Sequence, residues 1–401
     1  MSGLAVVTAA RRYRALFGVP GVTRVTVPSL VGRLPYGMST LVFVLAVHHG
    51  TGSYAIAGLA TAVNSAATAL SAPWLGRLAD RGHAPTVLAA TGIVNALLLT
   101  ALITVLAGHA PVGVLLAVMA AAGAANPPVS AVTRVVLPRL APGHASTAYA
   151  LDAVCSELTY VVGPALIAVI SAVAGPYAAV ALTASMSAAG AVGLAVAPAA
   201  RYRVAVSDAE SRVSERPRLL TVALTILLAV AGLEAAAYGL MEVAIPAYAA
   251  AQGSPAGAGA VIAAWSAGSI LGGLWFAGAN PTMSRWRLLF LLAALNTTGF
   301  ALICLSAGLP SLGAILALGG LVIAPMTAVE LGLVTSLAPL ARQTEAFTWT
   351  GTAVFVGYSA GAALAGLVAA RGGGLIAAAL TATSLVAAAT VLAATMMRRT
   401  R

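Results

Sequence analysis

Lysine is absent from this chain of 401 residues, and its 21 basic side chains are all arginine. Aspartate and glutamate together number ten, so charged residues make up 8% of the total, against about a quarter in a water-soluble domain. That shortage excludes an ordinary solvated surface. Two cysteines exclude a disulfide framework: Cys155 and Cys304 both fall in long apolar runs and read as two buried thiols. The sequence also lacks the spacing of a metal site, a nucleophile elbow and a phosphate-binding glycine loop. No metal, no cofactor and no enzymatic centre is therefore expected.

What the chain has in abundance is apolar length, with 60% hydrophobic residues. Runs of roughly 20 apolar residues, enough for a helix to cross about 30 Å of hydrocarbon, recur from Pro28 almost to the C-terminus. Membrane strands would show alternating polarity over about ten residues, and no segment alternates. Runs and breakers predict spans at 28–48, 53–75, 86–107, 111–133, 147–171 and 175–197, then at 219–250, 254–278, 286–307, 311–337, 347–369 and 373–396. The expectation is an all-α polytopic membrane protein with twelve transmembrane helices.

Charge orients these spans. Apart from Arg33 and Arg371, every arginine falls at a terminus or in a loop joining an even-numbered span to the next odd one. The positive-inside rule assigns those places to the cytoplasm of a cell membrane, the inner one in a cell with two. The net charge of +11 thus reads as a topology signal and a lipid contact, with no nucleic-acid partner expected. Arg11, Arg12 and Arg14 precede the first span without a small-residue cleavage site, so 1–27 reads as a cytoplasmic segment on the inner membrane surface and not as a signal peptide. A polar stretch at 199–218 separates bundles at 28–198 and 219–396, and 397–401 is a cytoplasmic tail.

The bundles read as copies. "LPYGMSTL" (34–41) and "AAYGLMEV" (236–243) share a Tyr-Gly at an offset of 202, and "PPVSAVTRVVLPRLAP" (127–142) meets "APMTAVELGLVTSLAP" (324–339) at an offset of 197. Two registers five residues apart are what one gap between parallel six-helix halves produces.

Between the second and third spans stands "GRLADRGHAP" (76–85). Its Gly76, Leu78, Ala79, Asp80 and Arg81 resemble the signature loop of the major facilitator superfamily, a resemblance that extends over nearly the whole chain. The second glycine comes one place early at Gly82, and Ala84 and Pro85 stand where the family carries basic residues. The resemblance implies two pseudo-symmetric six-helix bundles and a conformational latch at Gly76, Asp80 and Arg81, with the Asp80 carboxylate meeting a helix N-terminus across the halves. The alternative is that Arg77 and Arg81 only mark an inside loop while Asp80 caps its own helix. In "YVVGPALIAVI", Gly163 and Pro164 resemble an export-associated Gly-Pro motif; a tolerated kink is the other reading. The character is closest to bacterial efflux-type members, although the fourth-span arginine of many drug–proton antiporters is absent from "PVGVLLAVMAAAG".

Acids inside spans mark function, because an ionised carboxylate in hydrocarbon needs a partner or water. Glu157 and Glu234 fall near mid-membrane, Glu242 further out, and Glu330 in the inner part of the tenth span; all four are candidates for proton coupling, since burial favours a protonated carboxyl. Glu345 reads as a loop residue. Arg33 and Asp152 lie at equal depth and are expected to pair. Tyr160, Tyr238, Trp265, Trp349, Thr352 and Phe355 are candidates to line a substrate cavity, with packing as the alternative for the tryptophans. The function expected is secondary active transport by alternating access: proton-coupled export of a small amphipathic molecule by a monomer. Uptake or facilitated diffusion of a nutrient is the runner-up, and a non-transporting membrane sensor or scaffold the rival of another class.

Single-cysteine labelling in intact cells with an impermeant reagent tests the orientation. Cysteines at positions 252 and 371 are expected to label and one at 210 to remain unlabelled; labelling at 210 inverts the topology.

Overall fold

The computed structural model describes residues 3–197, 219–254, 257–278, 283–370 and 374–399. The 199–218 linker, Arg371 and the last two residues lie outside the described residues. Every regular element among the described residues is helical. Ten segments are long and apolar enough to cross a membrane, and one of them, Ile56–Ala107, is a 52-residue hairpin of two helices.

The chain starts with α1 (Gly3–Gly18), turns into α2 (Val22–Thr51), and continues as α3 (Tyr54–Leu78) and α4 (Ala84–Ala107). A π-helical turn at Ala79–His83 joins the last two, and Gly82, at a φ of 86°, supplies the left-handed step that lets the chain reverse there. Next come α5 (Val112–Ala124), α6 (Val129–Leu140), α7 (Ala145–Ala174) and α8 (Pro176–Val196). Beyond the linker follow α9 (Val222–Ala251), α10 (Gly257–Gly278), α11 (Arg285–Leu302), α12 (Leu309–Gly320), α13 (Ile323–Leu337), α14 (Gln343–Ala370) and α15 (Leu375–Arg399).

Two expected spans are discontinuous. The fourth breaks between α5 and α6 at Asn126-Pro127-Pro128, where two successive prolines withdraw amide donors, and the Tyr36 hydroxyl donates to the Pro127 carbonyl at 2.7 Å. The tenth breaks between α12 and α13, because Pro325 has no N–H for the Leu321 carbonyl one turn back. Pro128 and Pro325 are 197 residues apart, the offset of the second repeat register. The first break also moves the end of the apolar segment from 133 to Leu140, which brings Arg134 inside it instead of leaving it in a loop.

Helices α2 to α5, α7 and α8 pack chiefly on one another, α2 on α7 and α8, α3 on α5, α4 on α8. The later helices do likewise, α9 against α14 and α15, α10 against α12, α11 against α15. Matching glycines make matching contacts. A Cβ on Gly37 of α2 would overlap the Thr159 carbonyl of α7, and one on Gly239 of α9 would overlap the Tyr358 carbonyl of α14. These are the glycines of the two Tyr-Gly copies. Gly123 against Asn64 and Gly320 against Trp265 form a second such pair, again 197 residues apart. Without a hydrophobic driving force in lipid, this close backbone approach is a main source of helix association.

Gly239→Leu is therefore expected to lower stability in detergent by about 1–3 kcal/mol or to prevent folding. Gly58→Ala, at an exposed helical glycine with nothing within 4 Å of its new methyl, is expected to be neutral or slightly stabilising. Thermal unfolding of the purified variants measures both.

Candidate functional site

Hydrogen bonds between the two groups of helices gather at the end where α1, the α3–α4 turn and the start of α14 meet. Gly76 allows the approach: a Cβ there would come within 2.6 Å of the Thr348 hydroxyl and 3.0 Å of the Glu345 Cα. With the backbones so close, the Asp80 carboxylate accepts from the N–H groups of Thr344 (2.9 Å) and Glu345 (2.8 Å). It caps the N-terminus of a helix 264 residues away in sequence, where free amide donors and the helix dipole both favour a negative charge. Glu345, expected in a loop, is buried in the first turn of α14. Its carboxylate takes Arg77 at 2.8 Å from the opposite group and Arg342 at 2.8 and 2.9 Å from its own. Burial of this acid depends on closure between segments far apart in sequence, which spacing along the chain does not report.

Further bonds widen the clasp. Arg139 donates to the Gln343 side chain at 2.6 Å, Arg12 of α1 to the Ala277 carbonyl at the end of α10 at 3.1 Å, and Tyr149 bonds Thr335. Thr352 also belongs here, since its hydroxyl donates to the Ala69 carbonyl of α3 at 3.3 Å. Arg81 does not: its side chain is exposed and joins none of these bonds.

Deeper in the first group, Asp152 of α7 holds two arginines, Arg33 of α2 on Oδ1 and Arg134 of α6 on Oδ2, the latter at 2.8 Å. The side chains of Arg33 and Asp152 are each 3% exposed and that of Arg134 15%. Pairing is what allows these charges to stay buried. Arg134 was not among the expected site residues. Pro127-Pro128 was the available signal, because reading that pair as a break within the span extends the helix past residue 134.

Across from this triad, Glu234 of α9 and Glu330 of α13 bring their carboxyls into hydrogen-bond contact with one another. Both residues are buried, and the Oε1 of each has no donor. Arg134 is the cation that acts on Glu330 from the other group. Glu157 sits beside Ser269 and within electrostatic range of Glu242, whose side chain is exposed. The four acids are therefore not one cluster but a buried pair and a more open pair.

The other candidates divide similarly. Tyr238 stacks with Trp265 and Phe300 at centroid distances of 5.8 and 5.9 Å and accepts from the Asn296 amide at 2.9 Å, so Trp265 is core. Trp349 packs half-buried against the core around Phe347 and Leu331. Tyr160 is 63% exposed and Phe355 41%. Gly163 lies on the Gly37 backbone, a Cβ there coming within 2.9 Å, so Gly163 and Pro164 sit at the α2–α7 crossing. Among the described residues no group of histidine, cysteine and acidic side chains is arranged to hold a metal ion.

The profile of the Major Facilitator Superfamily matches residues 30–278. Among solved structures, the fold is similar to a bacterial homologue of the iron transporter ferroportin in an outward-facing state with soaked iron, at a TM-score of 0.72 and 14% identity, covering 93% of this chain and 98% of that one. It is also similar to the human organic anion transporter MFSD10 (TETRAN), at a TM-score of 0.69 and 18% identity, covering 93% and 99%. No curated protein sequence matches. The chain belongs to the Major Facilitator Superfamily and is a multi-pass membrane protein of a transporter family.

Asp80→Asn removes the charge and one of the two acceptors from the α14 N-terminus, a loss of about 1–2 kcal/mol, or roughly 5- to 30-fold in the closed-to-open ratio. Spin-label distances between residues near 81 and 342 are expected to lengthen in part of the population. An unchanged distribution reduces Asp80 to a surface charge.

Proposed function

We propose that this chain is a secondary active transporter of twelve transmembrane helices in two pseudo-symmetric six-helix bundles, which rock about a central site and export a small amphipathic molecule in exchange for protons. Fifteen helices reduce to twelve spans when α1 lies outside the bilayer and when α5–α6 and α12–α13 each count as one broken span. Matched glycines and matched proline breaks support the pseudo-symmetry. The arginine-rich clasp marks the cytoplasmic side, with both termini and the linker facing the same way and the molecule closed toward the cell interior. It acts as a monomer in the cell membrane, since each chain has both bundles.

The observation that carries proton coupling is the Glu234–Glu330 pair. Two carboxyls in contact and away from water cannot both be ionised cheaply, and a proton shared between them gives the donor that each lacks. Such a pair gains and loses a proton as its exposure changes from one side of the membrane to the other, which is what converts a proton gradient into a conformational bias. Glu157 and Glu242, nearer the open side, are placed to meet substrate or to pass the proton inward. Export is favoured over uptake by the order this permits: the outward-open state loads a proton, and the inward-open state releases it while taking up cargo.

Glu234→Gln and Glu330→Gln are each expected to abolish pH-gradient-driven transport while sparing substrate exchange, which releases no net proton. Both rates are measured in vesicles holding equal amounts of folded protein, with compounds first selected by direct binding from a chemically varied library. Unchanged gradient-driven transport in both variants removes this pair from coupling and turns attention to Glu157 and Glu242.

A further inference from the structure

Resting on the reading of Glu234 and Glu330 as the proton site, we propose that Arg134 is the residue that reads the pair's protonation and turns it into a pull between the two bundles. The argument begins with charge. Asp152 is shared by two guanidinium groups, so the triad on α2, α6 and α7 carries one positive charge too many. Arg33 is sealed inside its bundle, and Arg134 is the more exposed of the two. Arg134 is also the one whose field reaches Glu330. Two arginines face three carboxyls in this layer, so the whole layer is neutral when the glutamate pair holds one proton. In that state the surplus positive charge lies on α6 and the surplus negative charge on α13, on opposite sides of the interface.

The surroundings leave Arg134 little else to act upon. From α2 it faces Arg33 and Tyr36, from α7 Asp152 and Tyr160, from α13 Glu330 with Glu234 of α9 behind it. The acid on α14, Glu345, is already engaged by Arg77 and Arg342. Attraction between Arg134 and the singly protonated pair therefore helps hold α6 and α7 to α13. Directly beside this layer Tyr149 bonds Thr335, tying the same helices together. A second proton neutralises the pair and ends the attraction. The clasp at Asp80 and Glu345 then bears the closure alone, and the bundles part on the clasp side. Proton loading thereby favours the inward-open state, the direction an exchanger for export requires. Arg134 is in this sense a positioning residue; it need not touch the cargo.

The test uses the full-length protein in nanodiscs with spin labels at surface positions flanking the clasp, read at pH 8 and pH 6. The wild type is expected to raise its open-to-closed ratio about tenfold at the lower pH, within the usual range for coupled sites. Arg134→Gln is expected to be as open at pH 8 as the wild type is at pH 6, with the pH response lost. Its effect and that of Glu330→Gln should be non-additive in the double variant. Arg134→Lys, which keeps the charge, is expected to retain the response, and a folded Arg134→Lys variant without it contradicts the inference even if Arg134→Gln fails to insert. A normal response in Arg134→Gln overturns the role of Arg134 and leaves the proton site standing. No response in the wild type overturns both.

Discussion

Asp152 and the two arginines upon it set the terms for the rest of the molecule. An ionised side chain at the centre of a membrane helix costs about 3 kcal/mol even by the more lenient scales. The triad meets that cost with one acid for two bases and so passes an imbalance to its neighbours. The answering negative charge is not in the same bundle but on α9 and α13, where Glu234 and Glu330 have no arginine of their own. Each bundle is electrostatically incomplete by itself, and the two complete each other only when they close.

A second incompleteness lies at the cytoplasmic end. The N-terminus of α14 is capped not from its own preceding turn but by Asp80 of the other bundle, and Glu345 is held by arginines from both. Backbone N–H groups left uncapped inside the protein are costly, but at an open cytoplasmic face water replaces the cap. The clasp can therefore exchange with solvent at modest loss, whereas the deeper charge layer cannot. In the proposed cycle the clasp supplies a closed state of limited depth, and the protonation of Glu234 and Glu330 decides how far the balance tips.

Much of this architecture is legible in the sequence. Apolar run lengths give the helices, the arginine distribution gives a topology, and the Tyr-Gly copies foreshadow the crossings at Gly37 and Gly239. What escapes has a common cause. Glu345, Thr352 and the contact between Glu234 and Glu330 owe their environments to partners tens to hundreds of residues away, and local periodicity says nothing of them. Trp265 reads equally as a cavity wall or as core until Tyr238 and Phe300 are seen against it. Arg134 was hidden differently, by treating Pro127-Pro128 as the approach to a loop when it is a break inside a span.

The most direct measurement of the central claim is infrared difference spectroscopy of the purified protein in lipid across a pH step, read in the carbonyl-stretch region of protonated carboxyl groups. The account predicts a band that follows pH in the wild type and is lost or shifted in both the Glu234→Gln and the Glu330→Gln protein, since the two groups share the proton. A band that survives unchanged in both variants would contradict it.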